Sequence, residues 1–131
     1  MTLITLKFSP EVAKLVLQGR KCCTTRDEIK GIPGDIFKLN DRVYRIVAVI
    51  GPLKIRDMIL PIVKMEGFNQ YYQLYDELGK YYPQLNPDFL VYYHLFAYVG
   101  DWCPQFGNPG AVCSEPEKYC ELFHDCHGGR Y

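Results

Sequence analysis

Apolar and polar positions alternate over residues 3–8, which predicts a strand. Ser9-Pro10-Glu11 then has the makings of a helix start: a capping hydroxyl, proline at the first helical position and an acid in the first turn. Val12, Leu15 and Val16 recur at helical spacing, and Gly19 ends the pattern. Ile32-Pro33-Gly34-Asp35 predicts a turn, and Ile36–Leu39 a strand. Asn40-Asp41-Arg42 reads as a hairpin connection into a long apolar strand, Val43 to Ile50. Gly51-Pro52 interrupts that strand, and residues 54–58 continue the sheet beyond a bend. Asn69 caps a second helix whose buried stripe is Tyr71, Leu74, Tyr75 and Leu78, closed by Gly79. Phe89 to Val99 is the last strand.

After Gly100 the character changes to short, Pro- and Gly-broken, Cys-containing sequence, which places a boundary between a domain of residues 1–100 and an extension of residues 101–131. Strands outnumber helices and lie on both sides of them along the chain. The expected fold class is therefore α+β: a small mixed β-barrel with flanking helices.

The chain of 131 residues is long enough for one ordinary core, and 48% of it is hydrophobic. No apolar run reaches the length of a membrane span, and residues 1–6 lack the pattern of a signal peptide, so the expected setting is cytoplasmic. The zero net charge hides an asymmetry. Residues 1–100 carry thirteen Lys and Arg against ten Asp and Glu, whereas residues 101–131 carry two against five. Neither part has the basic surplus of a protein that grips long phosphate backbones, which excludes DNA wrapping. A nucleoside or a short single-stranded RNA remains an acceptable partner.

Chemistry concentrates in Gly19-Arg20-Lys21-Cys22-Cys23-Thr24-Thr25-Arg26, where a turn leading into a strand would direct lysine, hydroxyl and arginine into one cleft. Glu66-Gly67-Phe68, far along the chain, can supply a carboxylate. Lysine, hydroxyl and carboxylate are the material of a hydrolytic site or of a pocket for a polar base. Each residue also has a plain structural use: Lys21 and Arg26 as solvated charges, Thr24 bonding its own turn, Glu66 opening a helix.

The series Leu17-Gln18-Gly19-Arg20-Lys21-x-x-Thr24-x-Arg26, then Gly34-Asp35 opening a strand, then Glu66-Gly67-Phe68, resembles the ASCH domain family over roughly residues 3 to 99. The resemblance implies a PUA-like barrel with a cleft lined by the Gly-x-Lys motif. Many members carry Glu where this chain has Thr24; the Thr form is similar to small bacterial members that hydrolyse N4-acetylcytidine. Carried over, it implies Lys21, Thr24 and Glu66 as catalytic residues. Lys21 would act as base, Thr24 as nucleophile, and Glu66 would orient the lysine or protonate the leaving amine, with no cofactor required. Gly19, Arg20, Arg26 and Tyr93 are the expected substrate-binding residues. A non-catalytic RNA-binding module would use the same cleft differently: Lys21 and Arg26 on phosphate, Glu66 on a base amino group, and Tyr92 or Tyr93 stacked on the base. His94, within the last strand, reads as a structural residue.

Cys22 and Cys23 occupy positions that the motif leaves free, and read as packing residues. In the extension, Cys103, Cys113, Cys120 and Cys126, joined by His124 and His127, are candidate ligands for a structural zinc ion. Their spacings lack a Cys-x-x-Cys knuckle, so an iron–sulfur cluster, a pair of disulfides and free thiols stay open beside zinc.

Overall fold

The computed structural model describes residues 2–102 and 112–113, and a bent mixed sheet organises them. In chain order the elements are β1 (Leu3–Ile4), α1 (Pro10–Leu17), β2 (Cys23–Arg26), β3 (Ile36–Leu39), β4 (Arg42–Lys54), α2 (Leu60–Met65), α3 (Tyr71–Gly79), β5 (Leu90–Trp102) and β6 (Val112–Cys113). The sheet order is β1-β3-β4-β5-β2, with β6 paired to the far end of β5. β1 runs parallel to β3, and the other pairings are antiparallel.

The predicted helix start is confirmed: Ser9 caps α1, its hydroxyl accepting from Val12 N–H at 3.3 Å. Pro10 stands in the first turn, where its missing N–H costs nothing. The hairpin also agrees with the sequence, with Asn40 left-handed at φ 54° between β3 and β4. β4 does not end at Ile50. It continues to Lys54, and the Gly51–Pro52 peptide falls in a register shift between Ile50 and Leu53, where the proline cannot donate to the ladder.

Three expectations are corrected. Only Leu3 and Ile4 of residues 3–8 hold strand pairing, to Ile36 and Phe37 of β3. Residues 55–57 form a single 3-10 turn rather than more sheet. The second helix is capped by Gln70 and Gln73 in a reciprocal box, not by Asn69, and a short helix, α2, precedes it unforeseen. Five or six residues make too few turns to write a helical period.

The sheet buries both faces. Cys23, Val91 and Tyr93 pack with Ile55, Ile62, Val63, Leu74 and Leu78, joining the sheet to α2 and α3. Phe37, Tyr44, Ile46 and Phe96 pack with Leu6 and Val16 on the side of α1. Phe37 stacks on Tyr44 at 5.3 Å, and Phe96 meets Phe37 edge-on at 5.1 Å. The alternation along β5 explains the division: Val91 and Tyr93 serve one core, His94 and Phe96 turn the other way.

The expected closed barrel is an open sheet. β1 and β2 end the strand path without pairing each other, so the ring has a gap. Among the described residues β1 pairs with β3 alone and β2 with β5 alone. A side chain bridges the gap instead: the Arg26 guanidinium donates to the Lys7 carbonyl at 2.9 Å. Among the described residues, no helix is long and apolar enough to cross a membrane. β5 runs through Gly100 to Trp102, and Asp101 and Trp102 pair with Cys113 and Val112, so the change in composition at residue 100 falls inside a strand.

Candidate functional site

Two helix ends deliver the central residues. At the end of α1, Gly19 N–H bonds the Val16 carbonyl and Arg20 N–H the Leu15 carbonyl, with Gly19 left-handed at φ 76°. At the end of α2, Gly67 N–H bonds the Lys64 carbonyl and Phe68 N–H the Val63 carbonyl, with Gly67 at φ 96°. Both are Schellman turns, which reverse the chain sharply and satisfy the last helical carbonyls. The turns pack against each other: a Cβ on Gly67 would lie 3.2 Å from Leu15 Cδ1 and 3.7 Å from Lys21 Cβ. Cys22 N–H donates to the Met65 carbonyl at 2.7 Å, which fixes their register.

That arrangement brings Lys21 and Glu66 together across 45 positions of sequence. Lys21 is 5% exposed and Glu66 2%. The Lys21 ammonium bonds Glu66 Oε2 and also reaches the Glu66 carbonyl at 3.4 Å. Glu66 Oε1 accepts from the Thr25 hydroxyl. Glu66 therefore does not open a helix; it terminates one, at the end where the helix dipole disfavours a negative charge. The lysine and the hydroxyl hold it there.

Thr24 lies on the other face of β2. It is opposite His94 in the ladder, whereas Thr25 is opposite Tyr93. Its Oγ1 accepts from Arg26 Nε–H at 3.2 Å. The Arg26 guanidinium lies over the Phe8 ring at 5.4 Å, and burial lowers its pKa from the ordinary arginine value. β2 is the end strand of the sheet, so both of its faces meet a single cleft that wraps its free edge.

The cleft holds about 570 Å³, within the range of sites for small molecules. Lys21, Thr24, Thr25, Arg26 and Glu66 form its polar floor. Lys7, Phe8 and Ser9 from the gap in the ring form one side, and Phe68, Leu78, Tyr81 and Tyr82 another. Tyr82 is tied down by Asp27 N–H, which donates to its hydroxyl at 3.3 Å.

Lys21, Thr24, Glu66 and Arg26 all line the one cleft, with Lys21 bonded to Glu66 and Thr24 bonded instead to Arg26, and three other expected residues lie elsewhere. Tyr93 is 1% exposed and belongs to the core beneath α2 and α3, where burial raises its hydroxyl pKa, so it cannot stack on a ligand. Gly19 and Arg20 are exposed and lie outside the cleft lining; the turn uses their backbone. Of the aromatic side chains that do line the cleft, Phe68 belongs to the Glu66-Gly67-Phe68 motif, whereas Phe8, Tyr81 and Tyr82 fall outside any motif and carry no local signal in the sequence. Nor does Thr25: a strand sends neighbouring residues to opposite faces, and only the fold shows that both faces are used.

His94 is fully buried; its Nε2 accepts from Lys30 N–H at 2.9 Å, in keeping with a structural part. Cys23 is buried in the core with its thiol pKa pushed up by burial, while Cys22 is exposed. Of the candidate zinc ligands, Cys103, Cys120 and Cys126, with His124 and His127, lie outside the described residues; Cys113 has its backbone in β6.

No family model and no curated protein matches the chain. Solved structures do. An ASCH domain from Lactobacillus crispatus JV V101 aligns with a TM-score of 0.56 at 13% identity, over 74% of this chain and 78% of that one. This chain has the ASCH-domain fold. Protein EF3133 from Enterococcus faecalis V583, of the family DUF984, aligns with it at a TM-score of 0.51 and 21% identity, over 76% and 79% of the two chains. Hypothetical protein PH0355 aligns at 0.59 and 15% identity, over 76% of this chain and all of its own.

Proposed function

We propose that the protein is an amidohydrolase that cleaves the N4-acyl amide of an acylated cytidine, using Lys21, Glu66 and a threonine hydroxyl at the floor of the ASCH cleft. The observation that carries this reading is the buried Lys21–Glu66 pair opening onto a cleft of nucleoside size. Buried ion pairs add little net stability, since apolar residues of similar volume serve a core as well. An ion pair kept in a cleft beside hydroxyl groups is instead suited to moving protons.

The chemistry required is modest. A hydroxyl attacks the acyl carbonyl, the pair carries the proton from that hydroxyl to the departing exocyclic amine, and water then releases the acid. The ASCH resemblance puts the attacking hydroxyl at Thr24. Arg26, fixed over Phe8, is positioned to stabilise the developing oxyanion. The aromatic sides at Phe8, Phe68, Tyr81 and Tyr82 suit a flat base.

The same aromatic residues, with Lys7, Arg26 and Lys30 on the cleft, favour a second reading: recognition of a base within short single-stranded RNA, without catalysis. One assay separates the two. N4-acetylcytidine is offered to the wild type, to Glu66→Gln and to the double variant Lys21→Met/Glu66→Leu, which replaces the ion pair by apolar volume. The expected result is turnover by wild type and losses of a hundredfold or more, on the order of those seen for acid–base groups, in both variants while they remain folded. A wild type that binds the nucleoside or a short RNA without turnover establishes the recognition module instead.

A further inference from the structure

We infer that Thr25, rather than Thr24, is the hydroxyl that takes the acyl group; this rests on the amidohydrolase reading above. An activated hydroxyl needs a base within hydrogen-bond reach, itself oriented by a third group. Thr25, Glu66 and Lys21 meet that description. The Thr25 hydroxyl directs its proton at Glu66 Oε1, and Lys21 holds the opposite oxygen. All three are at least nine-tenths buried and all three line the cleft.

Thr24 has the reverse arrangement. Its oxygen accepts from Arg26, so a cation draws on the lone pair that would attack. Glu66 bonds Thr25 and Lys21, and Thr24 faces the His94 side of the sheet. His94 offers no help as a base: its Nε2 is taken by Lys30 N–H. Thr24 and Arg26 together are better suited to hold the substrate's carbonyl oxygen, Arg26 donating from its remaining N–H groups.

The step balances within these residues. Glu66 takes the proton from Thr25 Oγ1 as the Oγ1–carbon bond forms at the acyl carbonyl. The carbon–nitrogen bond breaks, and Glu66 returns that proton to the leaving exocyclic nitrogen, releasing cytidine and leaving a threonyl ester. Water attacks the ester, Glu66 accepts its proton, and Thr25 Oγ1 recovers a proton as the carboxylic acid departs. The net reaction is amide plus water to amine plus acid.

The test is to quench wild-type protein in acid during turnover of N4-acetylcytidine and digest it with trypsin. Cleavage after Lys21 and Arg26 isolates residues 22–26, which contain both threonines. Fragmentation between Thr24 and Thr25 then locates the acetyl group. Acetyl on Thr25 is expected, with Thr25→Val losing about a thousandfold or more in kcat and Thr25→Ser recovering most of it. Acetyl on Thr24, or a folded Thr25→Val within tenfold of wild type, overturns the inference and leaves the hydrolase intact. A wild type inert toward the amide removes the hydrolase reading first, and this inference with it.

Discussion

Individual side chains at the edge of this site sit in contradictory environments, and His94 is the clearest case. Its imidazole is fully buried on the strand neighbouring Thr24, with Arg26 and Lys30 adding positive charge nearby. Burial, the largest influence, lowers its pKa from the ordinary 6.5; the nearby backbone of Thr24 and Tyr92 opposes this without offsetting it, and the two cations depress the value further. In the unfolded chain the ring gains a proton near 6.5; in the folded protein it resists until lower pH. Stability from the neutral ring is therefore complete above 6.5 and is lost as pH falls through 6.5 toward the depressed value. Unfolding free energies measured across this range should decline below pH 6.5, by up to about 1.4 kcal/mol per pH unit for one proton. The decline should lessen in His94→Gln, whose amide oxygen can still accept from Lys30 N–H. Equal slopes for the two proteins would remove His94 as the cause.

Among the elements, the two Schellman turns matter most, because they convert separate helices into one lysine–glutamate contact. Gly67 has no tolerable substitute. An alanine there must take a left-handed φ of 96° and put its methyl 3.2 Å from Leu15. The backbone cost alone is about 1–2 kcal/mol, before any shift of Leu15 and Lys21. Gly79, the last residue of α3, meets nothing within 4 Å and has no positive φ. Gly79→Ala should thus hold or raise stability by up to about 1 kcal/mol, whereas Gly67→Ala should lower it and reduce turnover. Denaturant unfolding of the two variants checks this; equal effects would show that the turn does not set the site. Much at this level was legible in the sequence. Ser9, Pro10 and Gly19 bracket α1 because capping chemistry is local, and the β3–β4 hairpin arises from Asn40 and Asp41 for the same reason. α2 was not legible, since its six residues show no period and gain their burial from Ile62 and Val63 against a distant strand.

At the scale of the molecule, the unclosed ring and the cleft are one feature. The residues after β1 and the free edge of β2 face the same space, crossed by Arg26. A ligand lying there would bridge parts of the chain that the backbone ladder leaves apart, and so would stabilise the fold by mass action. At a hundred times its Kd, cytidine should add about 2.7 kcal/mol. For a domain of this size that is a rise of several degrees in Tm, read directly by calorimetry. No rise at saturating cytidine would show that the cleft is not the nucleoside's site.

The sequence by itself determined what depends on neighbours in the chain: the capped first helix, the hairpin, the long apolar strands, and the concentration of chemistry in residues 19–26. It also set Lys21, Arg26 and Glu66 apart as the polar residues of interest. Only the tertiary structure decided how they are used. The sheet stays open between β1 and β2, Tyr93 is withdrawn into the core, and Glu66 finds Thr25 as well as Lys21. The physical reason is that caps and turns are set by bonds within a few residues. A buried charge is placed instead by the packing of helices and strands far apart in the chain.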